Sequence, residues 1–140
     1  MKLDGMKETL SHFPQRKIRN HTHTTSCPAI TCRFCNAVGK HYSDSCPVVT
    51  EAKRRVEIIT TQGRCKICLG ICGDHCQKRS SSKCRYCDEV CDTVYDHLIP
   101  KEEHHCALCP LPEMKEELER EMRHFERYVQ DVYDRLSNKN

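Results

Sequence analysis

All 13 Cys residues of this 140-residue chain lie between Cys27 and Cys109, and this density constrains the fold more than any other feature. It exceeds the content of about 8–10% that is typical of chains held together by disulfides or metal ions. The Cys count is odd, His residues are interleaved with the Cys, and the start Met1–Gly5 lacks the apolar run of a secretory signal. These features favour metal over disulfides. We therefore expect bound metal and a reducing compartment, the nucleus or the cytoplasm.

The clearest metal-binding pattern begins at Cys32-Arg-Phe-Cys35 and continues with His41 and Cys46. Two Cys residues separated by two positions can reach one metal ion from a single turn, and a His and a Cys nearby complete a tetrahedron, the usual geometry of structural Zn²⁺. Gly39 gives the backbone the freedom to double back just before the His. We predict a first zinc site, site 1, formed by Cys32, Cys35, His41 and Cys46.

A second pair, Cys65-Lys-Ile-Cys68, is followed by Cys72, His75 and Cys76, so that five candidate ligands compete for four positions. His75 and Cys76 are neighbours in sequence, and usually only one of two adjacent residues can point toward a metal. We predict site 2 with Cys65, Cys68, Cys72 and Cys76 as ligands. His75 remains the alternative to Cys72 or Cys76.

A third pair, Cys84-Arg-Tyr-Cys87, is completed by residues of the later segment His104-His105-Cys106-Ala-Leu-Cys109. Two Cys pairs would give the spacing of a zinc ribbon. A His four residues before the last Cys would instead repeat the ending of site 1, and this repetition favours the His. We predict site 3 with these ligands: Cys84, Cys87, His104 and Cys109. Cys106 or His105 remain alternatives to His104, and three Zn²⁺ ions are expected in all.

The hydrophobic pattern divides the chain into five segments. We predict a flexible basic arm over 1–26, the first knuckle over 27–49, a linking helix over 50–63, the second and third sites over 64–110, and an amphipathic helix over 111–137. Only 37% of the residues are hydrophobic and Trp is absent. The predicted fold class is therefore a small zinc-stabilised irregular domain, with tandem zinc knuckles and little regular structure, a short linking helix and a long C-terminal α-helix. No membrane segment is expected.

The linking helix is predicted from its own periodicity. Ala52, Val56 and Ile59 share one face, and Arg54 and Arg55 are expected off that face. Thr50 is a candidate N-cap, and Gly63 stands where a glycine commonly ends a helix.

The C-terminal segment carries an apolar stripe with alternating spacings of four and three residues. Its members are Leu118, Met122, Phe125, Val129, Val132 and Leu136. Pairing of two such helices in parallel would place Glu121 of one chain opposite Glu126 of the other, which is unfavourable. We therefore expect the stripe to pack on the zinc region or to bind a different protein.

The charge distribution points to an anionic partner for the first two thirds of the chain. Residues 1–87 carry 16 Lys and Arg against 6 Asp and Glu, whereas residues 88–140 carry 7 against 14. Zinc knuckles hold unpaired bases against aromatic or apolar side chains, while Lys and Arg contact phosphates. The residues predicted to contact nucleic acid are Phe34, Lys40, Tyr42, Lys66, Arg85 and Tyr86.

Residues 27–110 resemble the zinc-knuckle (CCHC-like) region of Gag-type polyproteins from Pao/BEL retrotransposons of nematodes and other invertebrates. The resemblance rests on the ligand spacing of site 1, the Arg-containing helix after it, and the Cys pairs that begin sites 2 and 3. The second knuckle departs from the family pattern, and the third is lengthened by residues 88–103. The resemblance implies a stand-alone protein that binds single-stranded nucleic acid. RNA is the expected class over DNA, but neither this choice nor a base preference follows from the sequence.

Enzyme activity is not expected. The His-x-Glu at His124–Glu126 is not followed by the Pro-Cys-x2-Cys that completes the zinc deaminase signature, and the His-Glu-x2-His of metalloproteases is absent from the sequence. A RING-like ubiquitin ligase is the nearest alternative of that class, but its interleaved sites need a longer loop than the one between Cys68 and Cys72. The second hypothesis is a zinc-stabilised adaptor that binds a protein partner through the C-terminal helix.

Overall fold

The computed structural model describes residues 2–18, 30–73, 76 and 84–138. These residues form four α-helices, α1 (Lys2–Ser11), α2 (Ala52–Thr61), α3 (Arg85–Val90) and α4 (Lys115–Asn138). Four short 3₁₀ turns lie between them, at Ser43–Ser45, Asp96–Leu98, Cys106–Leu108 and Leu111–Glu113. Within the described ranges there is no β-strand, only an isolated bridge between Thr31 and Val38. The Cys/His clusters and the long C-terminal helix agree in outline with the predicted fold class.

The N-cap of the linking helix α2 lies one residue later than predicted. Glu51, not Thr50, has the extended N-cap conformation, and its side chain makes no capping hydrogen bond. The carboxylate of Glu113 instead accepts a hydrogen bond from the backbone N–H of Ala52. The cap is thus supplied by a residue distant in sequence, which local pattern reasoning cannot detect.

The end of α2 follows the sequence prediction. Gly63 has φ +67°, and its N–H donates to the carbonyl of Thr60 at 3.1 Å. The N–H of Arg64 donates to the carbonyl of Ile59 at 3.0 Å. These two hydrogen bonds form a Schellman motif, in which a glycine adopts the left-handed conformation that other residues avoid.

The described part of the N-terminal segment corrects the prediction of a flexible arm. Helix α1 packs against α4, and Leu10 and Phe13 are each only 4% exposed. Lys7 also forms a 3.0 Å salt bridge with Glu126 of α4. The apolar residues Leu3, Met6, Leu10 and Phe13 have helical spacing, so this signal was present in the sequence and was missed. Residues 19–26 of the predicted arm lie outside the described residues.

In the part of the chain that the structure describes, the buried residues form two small hydrophobic clusters and no single large core, and each cluster contains zinc-site cysteines. The first joins α1, α3 and the start of α4 with the following buried residues: Leu10, Phe13, Cys84, Tyr86, Val90, Tyr95, Cys109, Leu111 and Leu118. The second joins sites 1 and 2 to the turn before Cys109 with these residues: Cys32, Phe34, Cys46, Ile59, Leu69, Ala107 and Leu108. Because neighbouring residues of one turn enter different clusters, this turn connects the two halves of the molecule.

Arg55 of α2 is fully buried, contrary to the expectation that it lies off the buried face. Its guanidinium donates to the carbonyls of Val49 at 2.8 Å, Ala107 at 2.9 Å and Cys46 at 3.3 Å. It also lies over the ring of Phe34, 4.8 Å from the centroid. Arg55 therefore joins α2 to the last loop of site 1 and to the turn before Cys109.

Helix α4 is packed at its start and exposed at its end. Leu118 is buried, and Met122 packs against the first cluster. Toward the end of the helix, Tyr128, Tyr133 and Leu136 are 65%, 56% and 57% exposed. No helix in the described ranges combines the length and apolar character that crossing a bilayer requires.

Candidate zinc sites and the adjoining groove

The structure brings together the three ligand sets predicted from the sequence. Site 1 consists of Cys32, Cys35, His41 and Cys46, site 2 of Cys65, Cys68, Cys72 and Cys76, and site 3 of Cys84, Cys87, His104 and Cys109. Within each set the ligand atoms all lie within 4.8 Å of one another. The three sets are consistent with three Zn²⁺ ions.

Sites 1 and 2 begin with the same type of turn. The N–H of Cys32 donates to Ala37 O at 2.9 Å, and the N–H of Cys65 donates to Gly70 O at 2.7 Å. The residue after the second Cys of each pair has a left-handed backbone, Asn36 at φ 65° and Leu69 at φ 63°. A left-handed residue at this position reverses the chain, so that both thiols of the pair face the same point.

Site 3 is built differently, since its first pair belongs to a helix. Cys84 is the N-cap of α3 and Cys87 lies in its first turn. His104 and Cys109 approach from the far end of the insertion, on either side of the 3₁₀ turn Cys106–Leu108. The ligands of this site therefore come from two segments that only the tertiary fold brings together.

The measured separations fit tetrahedral zinc. With Zn–S bonds of about 2.3 Å and Zn–N bonds of about 2.0–2.1 Å, a tetrahedron places two sulfurs about 3.8 Å apart and a sulfur and a nitrogen about 3.6 Å apart. The Sγ atoms of Cys87 and Cys109 are 3.8 Å apart. The distance from Cys87 Sγ to His104 Nε2 is 3.6 Å, and that from Cys35 Sγ to His41 Nε2 is 3.4 Å. The printed separations in sites 1 and 3 thus fit structural zinc, and the donor atoms of all three sites lie within 4.8 Å of one another.

Neighbouring backbone groups orient and stabilise the ligands. The Nδ1 atoms of His41 and His104 each lie 2.9 Å from a carbonyl oxygen, of Tyr42 and Glu102 respectively, which leaves Nε2 to face the thiols. Backbone N–H groups donate to the sulfurs of four ligands, each at 3.4 Å: Cys32, Cys46, Cys65 and Cys68. Such bonds favour the thiolate, which is the form that binds zinc.

Thiol pKa values differ within the sites. The backbone N–H groups of Cys68 and Ile67 lower the pKa of Cys65 to about 6. A hydrogen bond from Cys109 lowers the pKa of Cys84 to about 4, whereas burial raises the pKa of Cys35 to about 12. Sites 2 and 3 therefore each contain one thiol whose lowered pKa favours the thiolate that binds zinc.

The alternative ligands lie outside the clusters or outside the described residues. The Nδ1 atom of His105 accepts a hydrogen bond from the N–H of Ala107 at 3.0 Å, which caps the 3₁₀ turn. The thiol of Cys106 lies 3.9 Å from the same ring nitrogen and is not among the grouped ligands of site 3. His75 lies outside the residues that the structure describes. Every cysteine that the structure describes is a free thiol.

Two of the aromatic residues predicted to stack bases are buried, so that assignment is wrong for them. Phe34 is 7% exposed and lies beneath the guanidinium of Arg55. Tyr86 is 3% exposed, and its hydroxyl donates to the carboxylate of Asp44. Both rings are packing residues, because a nucleic-acid base cannot reach their faces.

The other predicted nucleic-acid contacts are accessible. Tyr42 is 48% exposed, Lys40 and Lys66 are exposed, and the side chain of Arg85 is 66% exposed. Lys66 lines a cavity with Glu102 and Glu103, so these carboxylates oppose its attraction for phosphate.

A groove of about 600 Å³ lies where the three sites meet. Its lining includes Tyr42 and Arg33 from site 1, Leu69 from site 2, and Arg85 and His105 from the region of site 3. The groove combines an exposed aromatic ring with guanidinium groups, which sequence reasoning could not place together.

Asp44 also lines this groove and is balanced by two guanidinium groups. Arg16 Nε lies 3.0 Å from one carboxylate oxygen, and Arg85 Nη2 lies 2.6 Å from the other. The Arg16 and Asp44 side chains are only 5% and 10% exposed. This buried network fixes the wall of the groove and offsets its single carboxylate.

Comparisons of the chain with protein-family models, curated proteins and solved structures gave no match. The resemblance to retrotransposon Gag-type knuckles therefore stays a prediction, and the functional argument rests on the sites and the groove.

Proposed function

We propose that this zinc-binding protein binds single-stranded nucleic acid, RNA in preference to DNA, in the groove where its three zinc sites meet. The observation that carries the proposal is the combination of an exposed Tyr42 ring with Arg33 and Arg85 along one groove of about 600 Å³. An exposed ring accepts the face of any base, and guanidinium groups bind phosphates. RNA is the favoured class because its loops and bulges commonly present unpaired bases.

In this proposal the groove residues Tyr42 and Arg85 and the nearby Lys40, which does not line the groove, have distinct tasks. Tyr42 stacks one base, and Lys40, which flanks the ligand His41 on the other side, contacts the phosphate backbone. Arg85 keeps its ion pair with Asp44 while its exposed surface meets a phosphate, because a guanidinium has five N–H donors. Zinc supplies rigidity alone, by holding the turns that carry these side chains.

The test measures binding of short fluorescent RNA and DNA oligonucleotides by anisotropy, at several salt concentrations. Loss of a stacked base costs about 1–3 kcal/mol, so Tyr42→Ala should weaken binding by roughly 5-fold to 150-fold, whereas Tyr42→Phe should bind like the wild type. Val48→Ala is a matched control, since Val48 is an exposed apolar residue, 61% exposed, in the same region of site 1. Native mass spectrometry should find an unchanged zinc count in all variants.

Arg85→Gln should weaken binding and also reduce the slope of log affinity against log salt, because one phosphate contact is lost. Equal affinities of the wild type and Tyr42→Ala, or no binding to any oligonucleotide at low salt, would overturn the proposal.

The second candidate is a protein-interaction adaptor, and the exposed apolar residues at the end of α4 favour it.

A RING-like ligase has weaker support. Its two metals interleave their ligand pairs, whereas the ligand sets here follow one another along the chain, within 32–46, 65–76 and 84–109. We accordingly propose a binding role and no catalytic one.

A further inference from the structure

We propose that the exposed end of α4 forms an antiparallel homodimer, in which the segment 125–136 packs against the same segment of a second copy of this chain. This inference does not depend on nucleic-acid binding. It begins from the unequal packing of α4 along its length.

The start of α4 is already occupied by the rest of the molecule. Leu118 is buried and Met122 packs against the first hydrophobic cluster, and Lys7 of α1 binds Glu126. Helix α1 has 10 residues and α4 has 24, so that their lengths are about 15 Å and 36 Å. Because α1 flanks less than half of α4, the apolar stripe continues beyond it.

The exposed area is close to what a weak dimer requires. Tyr128, Tyr133 and Leu136 are 65%, 56% and 57% exposed, which amounts to roughly 350 Å² of side-chain surface per chain, or about 700 Å² for two. Phe125, Val129 and Val132 are half-buried and add to this surface. The total stays below the lower end of stable specific interfaces, about 1,200 Å², so we expect a weak dimer that forms only at high protein concentration.

An antiparallel arrangement pairs the apolar stripe residues of the two helices, and it also gives favourable contacts on the two sides of the stripe. It places Phe125 opposite Leu136 of the second copy and Val129 opposite Val132, so that all four stripe residues pair. On one flank Tyr128 faces Arg135 of the second copy, a favourable cation–π contact. On the other flank Tyr133 faces Glu126.

A parallel arrangement is less favourable than the antiparallel one in charge and in bulk. It would bring Glu121 of one chain to Glu126 of the other, and it would place both α1 helices and both zinc regions at the same end of the helix pair. The antiparallel arrangement puts these bulky parts at opposite ends. It also brings no two like charges face to face across the segment 125–136.

The experiment is sedimentation equilibrium of the zinc-loaded full chain between about 1 and 200 µM. The wild type should shift from its monomer mass of 16.3 kDa toward twice that value. Val132→Asp should remain monomeric throughout. Gln130→Asp introduces the same charge off the paired face and should dimerise like the wild type. Circular dichroism and native mass spectrometry check that each variant keeps its helix and its zinc.

Two further variants test the orientation. Tyr128→Glu loses the apolar surface of the ring but places a carboxylate opposite Arg135 of the second copy, so it should retain the dimer. Adding Arg135→Glu to it should weaken the dimer at least 10-fold. A wild type that stays monomeric at 200 µM, or a dimer insensitive to Val132→Asp, would overturn the proposal, and loss of the dimer in Tyr128→Glu alone would refute its antiparallel geometry.

Discussion

Replacing Arg55 tests whether the zinc sites form one cooperative unit or separate local knuckles. Arg55→Ala leaves the carbonyls of Val49, Ala107 and Cys46 without the donor that now reaches them, and it opens a cavity over the ring of Phe34. Each buried carbonyl that loses its donor costs about 1 kcal/mol or more, so with the cavity we expect a loss of about 3–5 kcal/mol. Arg55→Lys should restore only part of the lost stability, because one ammonium group cannot reach all three carbonyl acceptors.

The neighbouring Arg54 provides the control. Its side chain is 63% exposed and forms a 3.3 Å pair with Glu57, so Arg54→Ala should change stability by no more than about 0.5 kcal/mol. The assay is guanidinium unfolding followed by helical circular dichroism, at a fixed free zinc concentration because bound metal contributes to the measured stability. If Arg55→Ala and Arg54→Ala agree within about 1 kcal/mol while both retain three zinc ions, the buried link between site 1 and the turn before Cys109 does not contribute as argued.

Two further predictions concern site 2 and the end of α2. All four ligands of site 2 are partly exposed, whereas sites 1 and 3 contain buried ligands, so stepwise chelation with alkylation mapping should modify Cys65–Cys76 before the ligands of the other two sites. The exposed Cys91 belongs to no site and should react without chelation. Alkylation of Cys32 or Cys46 before site 2 would contradict this order. Gly63→Ala should cost about 1 kcal/mol through backbone strain alone, because its φ is +67° and nothing lies within 4 Å of an added Cβ. Gly70→Ala is the control in the same unfolding measurement, since its added Cβ would meet Cys68 Sγ at an ordinary 3.6 Å.

The sequence spacing of the Cys and His residues was sufficient to predict which of them lie together in each zinc site. The members of sites 1 and 2 are close in sequence, and a Cys-x2-Cys turn constrains both thiols whatever surrounds it. Site 3 was harder, because the insertion after Cys87 left His104, His105 and Cys106 as competing ligands. The repeated His-x4-Cys spacing selected the residue that the structure places in the cluster.

Burial of the aromatic residues could not be predicted in this way, because distant residues determine it. Phe34 is covered by Arg55 of α2, and Tyr86 is held by Asp44 of site 1. The aromatic residues next to zinc ligands were expected to lie on the surface and contact nucleic acid, as in an isolated knuckle. In a chain with few large apolar residues, they instead supply the two small cores.

The groove forms because the three zinc sites pack together, and no single knuckle supplies all of its lining residues. Asp44, from the 3₁₀ turn of site 1, binds Arg16 from the segment after α1 and Arg85 from α3. Arg16 also donates to the carbonyls of Cys106 and Cys109 at 3.0 Å and 2.8 Å. A peptide containing residues 27–49 alone would keep the ligands of site 1, the Tyr42 ring and Arg33, but it would lack Arg85, the other guanidinium group that lines the groove. If nucleic acid binds there, the tertiary arrangement of the three sites sets its path, and zinc contributes by making that arrangement stable in a chain with little other core.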